Sequence, residues 1–198
     1  MKTLTIVIFI FACFASHCFG QKAKRDTALA SQILAMYKTD QFWRVEFMKT
    51  QRKEKSNYDA ETIQDNWSKA DSINEVKAKA IINKYGYPGY SKVGERASDD
   101  FWAIIQHCDD DIPFQERVLA LLKKEVAKNN ANKEKYAYLV DRVLVNKNQK
   151  QIYGTQLSRD DKTRKFKPFP LKYPKSVDRL RKQVGLEPLA EYVNGYGQ

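Results

Sequence analysis

Histidine and cysteine are scarce in this chain, with two and three among 198 residues. Three of those five residues, Cys13, His17 and Cys18, fall in MKTLTIVIFIFACFASHCFG at the start. There Lys2, an apolar run from Leu4 to Phe14 and small residues at Cys18 and Gly20 make the three parts of a secretory signal peptide. Cleavage is expected before Gln21, leaving 21–198 as a single mature domain. Of the scarce residues that domain keeps only His107 and Cys108. One imidazole and one thiol do not furnish zinc's usual ligand set, and a lone cysteine forms no internal disulfide, so neither metal nor cofactor is expected. Long apolar runs are missing too. The leader's run is well short of the ~20 residues that span a bilayer as a helix. Export to the periplasm or the exterior is therefore expected, with no transmembrane segment in the mature chain. Phe11 two residues before Cys13, and His17 directly before Cys18, fit lipidation poorly.

Negative charge is also in deficit. Lysine and arginine total 35 against 24 acids, a net of +11, and loss of Lys2 with the leader leaves +10. Residues 159–182 carry ten of the basic residues against three acids, with Phe166, Phe169 and Tyr173 between them. Such a mixture can bind an anionic polymer or surface by phosphate contact and stacking. For an exported protein, nucleic acid is a less fitting partner than an envelope component. A solvated arm whose aromatic residues pack down while its lysines face water accounts for the same composition.

Proline and glycine, six and eight in all, are rare enough that each marks a boundary. Helical spacing of apolar residues runs from about Lys22 to Lys55 and again from Asp59 to Gly86, where Gly86 and Pro88 stop it. A third helix is predicted from Lys92 to Cys108, a fourth from Pro113 and a fifth from Asn132. After Asn148, QIYGTQL and FKPFPLKY read as a small hairpin or extended arm, and two short helices flank Gly185. The predicted fold is mainly α, a single-domain helical bundle with a small β element in its C-terminal third.

Three polar blocks interrupt this pattern. In QHCDDDIPFQ, Gln106 and His107 are placed on the shoulders of the third helix, flanking a core face of Phe101, Ile105 and Cys108. His107 beside Asp109 could act as general acid or base, or simply be a helix-end cation favoured by the helix dipole and by Asp109, Asp110 and Asp111. Cys108 lies on the apolar side, where thiols are inert. In YLVDRVLV, Asp141 and Arg142 interrupt an apolar helix; they could hold helices in register or line a pocket, Arg142 offering a fork to a carboxylate or phosphate. In QIYGTQ, an extended backbone would set Gln151, Tyr153 and Thr155 on one face, beside Gln156.

In their order and spacing, these blocks resemble the bacterial family catalogued as domain of unknown function 6624. IINKYGYPG from Ile81 opens the resemblance, and VDRLRKQVGLEPLAEY, ending at Tyr192, closes it. The resemblance implies that Gln106, His107, Asp109, Asp141, Arg142, Gln151, Tyr153, Gly154, Thr155 and Gln156 belong to a shared pattern, and it implies no established activity. Asn148 stands where the family often has glycine, and Leu180 replaces the first of two arginines, leaving Arg181. Two functional readings follow. One is an exported domain binding a small molecule in a polar pocket made from the three blocks: Gln106, Arg142, Gln151, Tyr153, Thr155 and Gln156. The other is a metal-independent hydrolase or transferase in which His107 moves a proton, Asp109 or Asp141 orients it and Arg142 steadies an anionic substrate. Binding leads, because an activated nucleophile is missing.

Overall fold

The computed structural model describes residues 24–196, so the expected leader and its cleavage point before Gln21 lie outside the described residues. Helices α1 (Thr27–Gln51) and α2 (Ala60–Tyr85) start where short acids supply a cap: Asp26 accepts from the Leu29 N–H and Asp59 from the Thr62 N–H. They run antiparallel, since Asn74 Nδ2 donates to the Met36 carbonyl while, further along α1, Phe47 packs against Trp67. Their shared face buries Leu29, Ile33 and Met36 against Ala78, Ile81 and Ile82.

The third predicted helix is two. α3 (Tyr90–Val93) stops at Gly94, and α4 (Glu95–Ile105) restarts there. Gly94 has φ +86°, a backbone region that disfavours side chains, so the chain turns instead of continuing. α5 (Ile112–Ala127) and α6 (Lys133–Asn146) then form a second antiparallel pair. Asp111 caps α5 through the Phe114 N–H, and Asn132 caps α6 through the N–H groups of Glu134 and Lys135. Phe101, Ile104 and Ile105 of α4, Val118 and Leu122 of α5, and Leu139 and Val143 of α6 join the first pair in one core.

The C-terminal third is an arm laid on this core. β1 (Leu157–Arg159) pairs antiparallel with β2 (Phe166–Pro168), Ser158 facing Lys167. Most of QIYGTQL is loop, with an isolated parallel bridge between Gln151 and Leu171. A 3-10 turn at Pro174–Ser176 leads into α7 (Val177–Val184) and α8 (Leu189–Gly195). Among the described residues no helix is long and apolar enough to cross a membrane.

A charge-balanced cleft around His107 and Arg142

Arg142, on α6, is the residue about which the polar blocks assemble. Its Nε donates to Asp109 Oδ1 at 2.8 Å and its Nη2 to Asp109 Oδ2. Asn146 Nδ2 and Gln115 Nε2 reach Asp109 Oδ1 at 2.8 and 3.2 Å. The fork read as free for a ligand's carboxylate is therefore filled by a carboxylate of the chain itself, in the bidentate geometry guanidinium favours. Burial works to raise the Asp109 carboxyl, but the Arg142 bonds and charge, with Asn146 and Gln115, hold it below the usual range.

The opposite wall comes from the first helix pair, and sequence reasoning missed it. Asp40 on α1, 1% exposed, accepts from Arg44 Nε at 3.1 Å and Nη2 at 3.0 Å, one turn on, and from Gln41 Nε2 at 2.7 Å. Arg44 Nη2 also donates to Asp71 Oδ1 of α2 at 2.8 Å, and the guanidinium lies over the Trp67 ring, 4.8 Å from its centroid. Burial pushes the Asp71 carboxyl up while Arg44 opposes it. Between the walls is a cleft of ≈ 310 Å³ lined by Arg44, Trp67, Asp71, His107, Asp109 and Arg142.

His107 sits at its floor, in a turn rather than on a helix shoulder, because α4 ends at Ile105 and Gln106 is its cap. Its Nε2 is 3.9 Å from Asp40 Oδ2 and 3.4 Å from Gln106 Nε2. The reading of a dipole-stabilised cation fails here. Burial, with the guanidinium of Arg44 and then that of Arg142 outweighing Asp40 and Asp109, lowers its pKa to about 4. The imidazole is neutral at pH 7. This has a stability consequence with a definite sign: between about pH 6.5 and 4 the unfolded chain binds a proton that the folded chain refuses, so stability declines as pH falls through that window. In urea titrations across this range, His107→Gln should flatten the decline by up to about 1.4 kcal/mol per pH unit. An unchanged slope would show that folding does not lower the His107 pKa.

The third block divides between two jobs. Asp141, fully buried, accepts the N–H groups of Ile152 (2.7 Å), Tyr153 (3.0 Å) and Thr155 (2.9 Å) and the Thr155 hydroxyl (3.0 Å). Burial raises its pKa, and those same bonds oppose the rise. From the other side Arg181, also fully buried, donates Nη1 to the Tyr153 carbonyl at 2.8 Å and Nε to the Glu187 carbonyl at 2.6 Å, and Tyr192 Oη donates to the Thr155 carbonyl at 2.8 Å. Gln151 is buried with its side chain bonded to Gln156 and Phe169 backbone. Gln151, Tyr153 and Thr155 therefore do not present three free groups on one face: two are buried in holding the loop, and Tyr153 enters the network through its backbone. Gly154, at φ +74°, lets the loop close over Leu189, whose Cδ1 would lie 2.8 Å from any Cβ added there.

Gln106, Arg142, Thr155 and Gln156 do meet, in a second cavity of ≈ 310 Å³ that shares Arg142 with the cleft. Cys108 lies apart, buried, its thiol pushed up to about 12 by burial. Of the neighbouring acids, Asp111 serves α5 as its cap and pairs with Lys79 at 2.7 Å. Among the described residues no group of three His, Cys, Asp or Glu is placed to hold a metal ion. The basic arm is solvent-facing at Lys162, Lys165, Lys167 and Lys172, whereas Arg181 is withdrawn from it into the loop network. The pattern that could have exposed the missed wall is the opposite-charge pair Asp40 and Arg44 at i, i+4, together with Asp71 four residues after Trp67. The family model described as a family of unknown function, DUF6624, matches residues 27–197, which takes in α1 and α2 as well as the blocks from Ile81 onward. No curated protein and no solved structure matches the chain.

Proposed function

The chain belongs to this family of unknown function, and we propose that it is an exported binding protein for a small, uncharged, hydroxyl-rich molecule held in the cleft at His107. The observation that carries this reading is the charge balance of the walls. Two guanidinium groups, Arg44 and Arg142, meet three carboxyl groups, Asp40, Asp71 and Asp109, around a neutral imidazole. An anion entering the cleft would lie against carboxylates that already neutralise both arginines, and like charges at such range repel. A hydroxyl accepts from an N–H and donates to a carboxylate at once, so it suits a wall that alternates the two.

A second reading keeps His107 as the general base of a metal-independent hydrolase or transferase, favoured by Asp40 near its ring at an open cleft. Magnitude weighs against it. A catalytic base works best with a pKa near the operating pH, and a value of about 4 leaves little proton affinity at pH 7.

Nuclear magnetic resonance titration at pH 7 with N-acetylglucosamine, glucose and sulfate separates the possibilities. The expected result is a saturable shift of the His107 ring and Trp67 indole signals with at least one of the two sugars, and none with sulfate. Sulfate binding at these residues without sugar binding would overturn the reading.

A further inference from the structure

Beside the cleft, five aromatic rings follow one another: Trp102 and Tyr138 at 6.3 Å, Tyr138 and Tyr192 at 6.1 Å and Tyr192 and Tyr196 at 5.1 Å are edge to face, and Tyr196 and Phe166 at 5.6 Å are tilted. They come from α4, α6, α8 with its C-terminal cap Tyr196, and the hairpin, so the arm closes one side of the second cavity while the helical core supplies the other. All five line it, together with the carboxamides of Gln106 and Gln156. The cavity adjoins the cleft: Arg142 lines both, and Gln106 of the one contacts His107 of the other.

Two features of this wall limit what fits. Aromatic faces carry partial negative charge and attract the weakly positive C–H face of a sugar ring. Carboxamides offer both a donor and an acceptor, which an acetamido substituent answers with its own N–H and C=O. Gln156 has such capacity in reserve, its Nε2 donating, among the described residues, only to the Thr155 hydroxyl at 3.2 Å. Trp102 Nε1 is a buried donor with no partner among the described residues.

We propose that cleft and aromatic cavity are two adjoining subsites for a chain of N-acetylated amino sugars, one ring at His107 and the next against Tyr138, with Arg142 at the junction. The proposal rests on the cleft reading and adds a second ring, and its chemical class, to it. A ligand of this kind gains affinity with length, because the second ring adds contact without a second loss of translational freedom.

Calorimetric titration of the purified protein with N-acetylglucosamine, its β-1,4 dimer and cellobiose tests this. The dimer should bind at least tenfold more tightly than the monosaccharide and at least fivefold more tightly than cellobiose. Tyr138→Ala should bring the dimer-to-monomer ratio below threefold. Gln156→Ala, which disturbs less packing, should remove the preference over cellobiose. If the monosaccharide binds and the dimer gains less than threefold, the aromatic subsite is refuted and the cleft reading stands. If cellobiose equals the amino-sugar dimer, the assigned sugar class is refuted. Failure of all three ligands to bind overturns the cleft reading as well.

Discussion

Asp141→Ala should cost the protein about 3–5 kcal/mol of stability, since three backbone N–H groups and one hydroxyl lose their acceptor at roughly 1–3 kcal/mol for each donor left unpaired in the interior, and water can rescue some of them. For a domain of this size that is a fall in Tm on the order of 10 °C. The size follows from where Asp141 sits. It is fully buried on α6 and is the acceptor for the N–H groups of Ile152, Tyr153 and Thr155, which have no other acceptor among the described residues. Asp141→Asn keeps one carbonyl oxygen but turns an NH₂ group towards N–H donors, so it should recover only part of the loss. Urea and thermal unfolding of the two variants check both statements. A loss below about 1 kcal/mol for the alanine variant would mean that Arg181 and Tyr192 hold the loop without Asp141.

Much of the fold was legible because its signals are local. Asp59, Pro113 and Asn132 mark helix starts through capping and fixed backbone angles, and the structure begins α2, α5 and α6 beside them. The third helix misled because its side-chain period runs through Gly94, while the break depends on the backbone angle that glycine adopts there. The apolar patterns of α1 and α2 were only partly about the core. Phe42, Val45, Met48, Ile73 and Val76 face solvent, whereas Asp40 and Glu46 are buried.

The site was half legible for a related reason. The blocks from Gln106 to Gln156 do converge, with Arg142 between them, yet the reading could not say which polar groups face a cavity and which answer unpaired backbone. Asp141 and Gln151 belong to the second kind: their partners are N–H and carbonyl groups of a loop whose shape exists only after folding. Asp40 and Arg44 went unnoticed because a helical i, i+4 ion pair normally lies on the surface. Here the α1–α2 pairing buries its acid and turns its arginine to the cleft.

Arg142→Gln should lower the affinity for N-acetylglucosamine by about 10–150-fold, the range given by about 1.5–3 kcal/mol for hydrogen bonds to a charged group. The fold should tolerate it. Asp109 is more than one-third exposed and keeps Asn146 and Gln115 as donors, so Tm should move by only a few degrees. Arg44 is a poorer choice for this purpose, because its removal would leave Asp40 almost fully buried with Gln41 as its remaining hydrogen-bond donor. The direct measurement is a titration of ¹⁵N-labelled protein with N-acetylglucosamine, following the guanidinium Nε–H signals of Arg44 and Arg142 and the ring of His107. If the cleft is the binding site, all three shift along one saturable curve in the wild type, and in Arg142→Gln the curve for Arg44 and His107 moves to at least tenfold higher ligand concentration. Signals that stay fixed in the wild type, or that saturate at the same concentration in Arg142→Gln, would contradict a ligand held between Arg44 and Arg142.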